Sequence, residues 1–382
     1  MLQPALPWTR DSRIFLLWLG CTMVGMVFVF SATLDAGALA DRPFQYLGRQ
    51  ALYLMAGLFC MLIVIQMPLK WWCGASDLLL LACVLLFVGL WLFGVNINGS
   101  KRWIPLFFFN LQVSELVRAL FVLIIAGYIH RHMDVIASGV KAHLWQVLRP
   151  VGLVGIFAGL MLQEPDMGSA VLLLLVSGGM LFIAGIRWWL VLSLGVLGGV
   201  AVALLTLNAE YRLERFTSFR DPFADPLGGG YQLSQSLIAH GRGGWFGQGL
   251  GESVQKLSYL PEAHTDFVFS VICEETGVLG GLAVLALLLT LAGQCQRIAA
   301  KAAFRQMRFH MAVAAGTGIL LAFQSLINVL VVIGMLPTKG LTLPLISFGG
   351  SSMVSISLLL GIVIRAGMEV DMADCKRTGK KT

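Results

Sequence analysis

Four polar segments interrupt a strongly apolar chain, and each carries side chains able to do chemistry. The first is Asn98-Gly99-Ser100-Lys101-Arg102-Trp103, followed by Gln112-Val113-Ser114-Glu115 and then Arg118. Glu115 and Arg118 are three apart, so on a helix they share a face and can pair, either as a structural ion pair or as part of a substrate contact. The second segment is Gln163-Glu164-Pro165-Asp166, two carboxylates beside a helix-breaking proline. Each could serve a ligand, although an Asp just ahead of an apolar run also reads as an N-cap. The third is Pro261-Glu262-Ala263-His264-Thr265-Asp266-Phe267-Val268-Phe269. Asp266 stands at a water–lipid boundary, a setting that raises a carboxyl pKa and suits a general base. An N-cap is the competing reading. His264 is a hydrogen-bonding neighbour rather than a metal ligand, since no second His or Cys lies at ligand spacing. The fourth, Leu336 to Ser352, holds two prolines, a Gly-Gly step and several hydroxyls, and is expected to form a re-entrant outer loop over about 335–351.

What must position these segments is a membrane domain. Of 382 residues 58% are hydrophobic and only 12% charged, with a mean hydropathy of +0.83. No soluble fold buries that much apolar surface. Apolar runs near 14–32, 51–67, 78–95, 113–129, 150–163, 168–186, 188–207, 267–293, 311–334 and 352–367 predict about ten transmembrane helices, because lipid forces each span to satisfy its own backbone. The fold class is therefore an all-α polytopic membrane protein, residues 1–382 forming one integral membrane domain. The run from Ile14 has no small-residue cleavage site, so no cleaved signal is expected.

Ten spans place both ends on one side. That side carries Arg10, Arg13, Lys70, the stretch from His130 to Arg149, Arg187, the group Arg297, Lys301, Arg305 and Arg308, and a tail of about 368–382. The positive-inside rule makes it the cytoplasm, and accounts for the formal charge of +7 without nucleic acid. The four polar segments then fall on the outer face, together with a long loop of about 208–266. Its interleaved Gly, Arg, Asp and Tyr mark function rather than a low-complexity linker. A polar cavity opening outward follows. Seven cysteines without CxxC spacing predict neither disulfides nor a zinc site.

These segments closely resemble the SEDS family (shape, elongation, division and sporulation), also called FtsW/RodA/SpoVE. The resemblance runs from Asn98-Gly99-Ser100-Lys101-Arg102-Trp103 to Ser347-Phe348-Gly349-Gly350-Ser351-Ser352. Leu336-Pro337-Thr338-Lys339-Gly340-Leu341-Thr342-Leu343-Pro344 and Gln255 to Phe267 look like its division branch rather than its elongation branch. The resemblance implies a multi-pass protein of the bacterial inner membrane, at the septum, that polymerises the lipid-linked disaccharide lipid II and releases undecaprenyl pyrophosphate with inversion. Asp266 aligns with the acidic residue regarded as catalytic and would be the base. Arg102, Arg118, Arg215, Lys256 and Lys339 are candidates to hold the pyrophosphate, with Glu115, Asp166, His264, Thr265, Ser347 and Ser351 as further substrate contacts. A divalent cation, Mg or Mn, could sit near Asp166, Glu115 or Asp266. Implied partners are a class B penicillin-binding protein (an FtsI-type transpeptidase) and divisome activators of the FtsQ, FtsL, FtsB and FtsN type.

The chain departs from the family pattern at Val113, where Pro is common, at Arg118, where Lys is usual, and at Glu164, an added acid beside Pro165. Three other readings stay open: a lipid II flippase, which needs no base; an unrelated secondary transporter, which predicts a midplane site; and a scaffold for septal enzymes. An elongation-type polymerase is the variant within the enzyme reading.

Overall fold

The computed structural model describes residues 12–39, 44–97, 100–105, 110–137, 144–187, 219–225, 228–257, 259–338 and 340–378, with isolated positions between 189 and 198. Eleven helices are defined among them: α1 (Ser12–Leu39), α2 (Gln45–Gln66), α3 (Leu69–Gly74), α4 (Ser76–Phe93), α5 (Val113–Ala137), α6 (Leu144–Gln163), α7 (Met167–Ile183), α8 (Tyr231–Gly243), α9 (Val268–Phe304), α10 (Arg308–Val332) and α11 (Gly350–Thr378). Seven of these, α1, α2, α4, α5, α9, α10 and α11, are long and apolar enough to cross a membrane, and α6 and α7 contribute two shorter apolar helices. They correspond to nine of the ten predicted runs. The tenth, 188–207, lies largely outside the described residues.

The helices form because uninterrupted apolar runs leave the backbone no other partner, and they end where the sequence interrupts itself. Between α4 and α5 the chain leaves the helical pattern altogether. There Val95–Ile97 (β1), Ser100–Pro105 (β2) and Asn110–Gln112 (β3) form a three-stranded antiparallel sheet in the order β1-β2-β3. Trp103 pairs with both Val95 and Gln112, so Arg102 projects from the central strand. The expectation of a wholly helical chain missed this small sheet, two of whose strands span only three residues, too short for a period-two pattern to emerge.

The bundle core sits around α5, α10 and α11. α9 lies along α10, and α11 along α2, with α5 packed on α4, α7 and α10. Small residues let these helices approach closely, as is usual in lipid. The Trp18 indole donates to Ser357 Oγ at 2.9 Å in this interior. Between α10 and α11, the described residues of 333–349 have no regular structure, yet Leu341, Leu343, Leu345 and Ile346 are buried. Gly25 of α1 makes room for this segment: a Cβ there would lie 2.8 Å from the Ile346 backbone.

Candidate active site

Elements far apart in sequence converge at one end of the bundle. The break between α6 and α7 is the first. Asp166 is the N-cap of α7, its carboxylate accepting from Ser169 N at 3.1 Å and from Ser114 Oγ of α5 at 2.7 Å. The capping reading of Asp166 therefore holds, and both of its oxygens have partners. Arg102 of β2 reaches the same break, donating from Nε to the Glu164 carbonyl at 2.8 Å and from Nη2 to that of Pro165. Glu164 itself is buried, and neither carboxylate oxygen has a hydrogen-bond partner among the described residues. Burial, and then the charge of Asp166, push its pKa up to about 8 against the opposing pull of Arg102.

Asp266 lies just ahead of α9 but does not cap it. The N-cap position is Phe267, which makes no side-chain capping bond. The Asp266 backbone carbonyl instead accepts from Asn328 Nδ2 of α10 at 2.9 Å, and the same amide nitrogen donates to the Leu341 carbonyl at 2.6 Å. Asn328 thus ties the approach to α9 to the non-helical segment 333–349. Gly340 in that segment faces the site: a Cβ there would lie 3.1 Å from an Asp266 carboxylate oxygen and 3.8 Å from Arg102 Nη1. No hydrogen bond to the Asp266 carboxylate is made among the described residues. Desolvation first, and then the charges of Glu262, Asp166 and Glu115, push its pKa up to about 7, with Arg102 opposing.

Around this centre the other predicted residues divide. Arg118 pairs with Glu115 at 2.5 Å, both buried, and Glu115 also accepts from Thr342 Oγ1 at 3.5 Å. Arg118 Nε and Nη1 are buried without hydrogen-bond partners among the described residues. His264 sits between the rings of Tyr46 and Phe348, centroids 5.3 and 5.6 Å away. Its carbonyl accepts from Phe348 N at 2.9 Å, and burial lowers its pKa so that it stays neutral. Thr265 donates to the Glu262 carboxylate at 2.7 Å. Two serines hold backbone rather than facing outward: Ser347 Oγ accepts from Leu343 N at 2.8 Å, and Ser351 Oγ accepts from Gln112 N at 2.9 Å.

Lys256 is drawn to a second cluster, where it donates to the Gly251 carbonyl and pairs with Glu275 at 3.8 Å. Arg215 and Lys339 lie outside the described residues. Among the described residues no three His, Cys, Asp or Glu side chains gather as a metal-binding group. With Asp166 capping α7 and Glu115 paired to Arg118, the carboxylates near Asp266 do not make a ligand set for a divalent cation.

Sequence reasoning missed two residues that hold the site. Gln324 donates to the Thr342 carbonyl at 3.0 Å and Asn328 to Asp266 and Leu341, both from inside α10. The signal was present: two carboxamides four apart on one face of an apolar span need partners within the protein.

Seven helices long and apolar enough to cross a membrane and two shorter apolar ones, among the described residues, define a polytopic membrane protein with a cluster of ionisable side chains at one end. The chain belongs to the FtsW/RodA/SpoVE family, described as "Cell cycle protein", which it matches over residues 11–371. It is 41% identical over 97% of its length to a protein of Coxiella burnetii named "Probable peptidoglycan glycosyltransferase FtsW", covering 99% of that protein. A protein of the same name from Tolumonas auensis is 42% identical, with 96% of this chain and 94% of the relative covered. Among solved structures, one described as "Structural coordination of polymerization and crosslinking by a peptidoglycan synthase complex" superposes with a TM-score of 0.76 at 26% identity, over 95% of this chain and 99% of that one. The rod shape determining protein RodA of Thermus thermophilus gives 0.69 at 26% identity, over 95% and 98%.

Proposed function

We propose that this protein is a peptidoglycan glycosyltransferase of the division type, polymerising lipid II for septal wall synthesis with Asp266 as the general base. The observation that carries this reading is the state of Asp266: uncapped, without a hydrogen bond to its carboxylate among the described residues, and pushed to about 7, where a base is half ionised at physiological pH. In the reaction Asp266 takes the proton from the acceptor sugar's 4-hydroxyl as that oxygen attacks C1 of the donor. The C1–oxygen bond to undecaprenyl pyrophosphate breaks, and C1 inverts. The departing pyrophosphate carries negative charge, which Arg102 Nη1 and the unbonded N–H groups of Arg118 are suited to meet. Arg215 and Lys339 remain candidates for the same task. No step is routed through a divalent cation.

The basic group Arg297, Lys301, Arg305 and Arg308 at the opposite end supports an orientation with that end in the cytoplasm and Asp266 outside, where a lipid-linked donor is available. A multi-pass membrane protein of this family would act in the bacterial inner membrane beside a class B penicillin-binding protein, with divisome activators of the FtsQ, FtsL, FtsB and FtsN type setting its activity. The test is polymerisation of labelled lipid II by the purified chain with its cognate transpeptidase, for wild type and Asp266→Asn. Loss of glycan chains in a mutant that keeps its thermal stability supports the base assignment. Retained polymerisation overturns it, and a wild type that moves lipid II across a bilayer without joining it points to the flippase.

A further inference from the structure

The loop leading to Asp266 also carries large apolar side chains that none of the described residues covers. Trp245, Phe246 and Leu250, just beyond α8, are 67%, 83% and 65% exposed. They are nevertheless held firmly against α9. Val278 N donates to the Gly244 carbonyl at 2.9 Å and Leu279 N to that of Trp245 at 3.3 Å. Gly277, with φ of 73°, permits the contact, since a Cβ there would lie 2.3 Å from the Trp245 carbonyl oxygen.

The length of α9 sets the depth of this patch. The helix is kinked at Gly277, and the part from Val278 to Phe304 extends about 40 Å at 1.5 Å per residue, against a hydrocarbon core ~30 Å thick. Counting back from Arg297, the first basic residue toward the far end, the roughly 20 residues needed to cross reach Gly277. The stretch before Gly277 then stands clear of the lipid, and Trp245 and Phe246 lie level with its boundary. Through those backbone bonds they adjoin Val278 and Leu279, which with Leu282 are exposed by 37%, 48% and 54% on the apolar span of α9.

We propose that Trp245, Phe246 and Leu250 insert into the headgroup–acyl boundary of the leaflet on the Asp266 side, making the segment after α8 an interfacial anchor. Indole and phenyl rings favour that layer, and an apolar edge rimmed by polar loop is the usual form of such an anchor. The competing occupant is a partner protein; the depth of the patch and its place beside the apolar span of α9 favour lipid. From Leu250 the chain runs to Ser253, Val254 and Gln255, all bonded to Glu274. Insertion would therefore fix the height at which the Asp266 loop stands above the membrane.

The experiment places a benzophenone amino acid at Phe246, Leu250, Leu279 or Glu252 of the full chain, one site at a time. Each variant is reconstituted in vesicles of phosphatidylethanolamine and phosphatidylglycerol, irradiated, and its adducts read by mass spectrometry. Lipid adducts at Phe246 and Leu250 comparable to those at Leu279, with none at exposed Glu252, are expected. Adducts at Leu279 alone overturn the proposal, as do protein adducts replacing lipid ones at Phe246 and Leu250 when the same variants are irradiated in cells. Should the Phe246 variant fail to fold, Leu250 carries the test by itself.

Discussion

Two carboxylates eight residues apart, Asp266 and Glu274, show opposite solutions to holding a charge near the membrane. Glu274, fully buried in α9, accepts from Ser253 Oγ at 2.5 Å, Val254 N at 3.2 Å and Gln255 N at 3.3 Å, and meets Arg242 Nε at 3.1 Å. Every lone pair that faces the loop has a donor. Asp266, only partly exposed, has a glycine and one corner of a guanidinium opposite it. A buried charge with a full donor set is structural, because it lowers the energy of one fixed arrangement. A charge left short of donors costs folding free energy and keeps its lone pairs for a substrate.

The sharpest test of that contrast exchanges the two acids for neutral groups. Asp266→Asn should lower polymerisation by about 10²–10⁴-fold, the share that a positioned base contributes. Its melting temperature should be no lower than wild type at pH 8, since the amide removes an ionisation the fold disfavours. Glu274→Ala should do the reverse. It strands a hydroxyl and two amides, destabilising the protein by about 3 kcal/mol, with the share from half-exposed Arg242 discounted for solvent screening. Thermal unfolding in detergent reads both. A Glu274→Ala protein as stable as wild type would end the comparison.

Acidity separates the sites further. With the Asp266 pKa at about 7, the ionised fraction and the polymerisation rate should fall close to tenfold per unit below pH 6. The sign for stability is opposite: a carboxyl raised in the folded state favours folding fully below its unfolded pKa and loses that contribution as pH rises through about 7. Activity should therefore climb over the range in which the melting temperature declines. A rate already flat from pH 5 would show that a different group carries the proton.

How much of this was legible beforehand varies by residue. Asp266, Arg102 and the Glu115–Arg118 pair stood out because ionisable groups beside apolar runs demand a reason. Span positions followed from composition. The sheet at Val95–Gln112 did not, since two of its three strands are only three residues long and their pairing depends on the loop between them. The family resemblance implies Ser347 and Ser351 as substrate contacts, whereas which way a hydroxyl turns depends on the backbone amides it meets, Leu343 and Gln112, known only once the segment is folded. Asp166 was ambiguous for the same reason. Its capping bond to Ser169 is local, whereas its bond to Ser114 crosses between helices. Asp166→Ala should cost about 1 kcal/mol as a lost cap, and more if the Ser114 bond matters. Adding Ser114→Ala in a double-mutant cycle measures that excess.

Glu164 provides the smallest effect and the finest discrimination, because it is buried like Glu274 and unpartnered like Asp266. With its pKa pushed up to about 8, it must take up a proton on folding at pH 7, a cost that is absent near pH 4, where the folded and unfolded chains both hold the proton. Glu164→Gln replaces one neutral polar group by another of nearly the same shape. It should change stability near pH 4 by no more than about 0.5 kcal/mol. Between about pH 4 and pH 8 the two proteins must part: the wild type loses stability as pH rises toward its folded pKa, the amide does not, and the mutant melts higher at pH 8. If the mutant is instead destabilised at pH 7, the Glu164 carboxylate is ionised and held by a cation, and Arg102, already bonded to the carbonyls of Glu164 and Pro165, is the group in reach. That outcome would move Glu164 beside Glu274 as a structural anchor, and leave Asp266 as the one acid at this end without a donor set among the described residues.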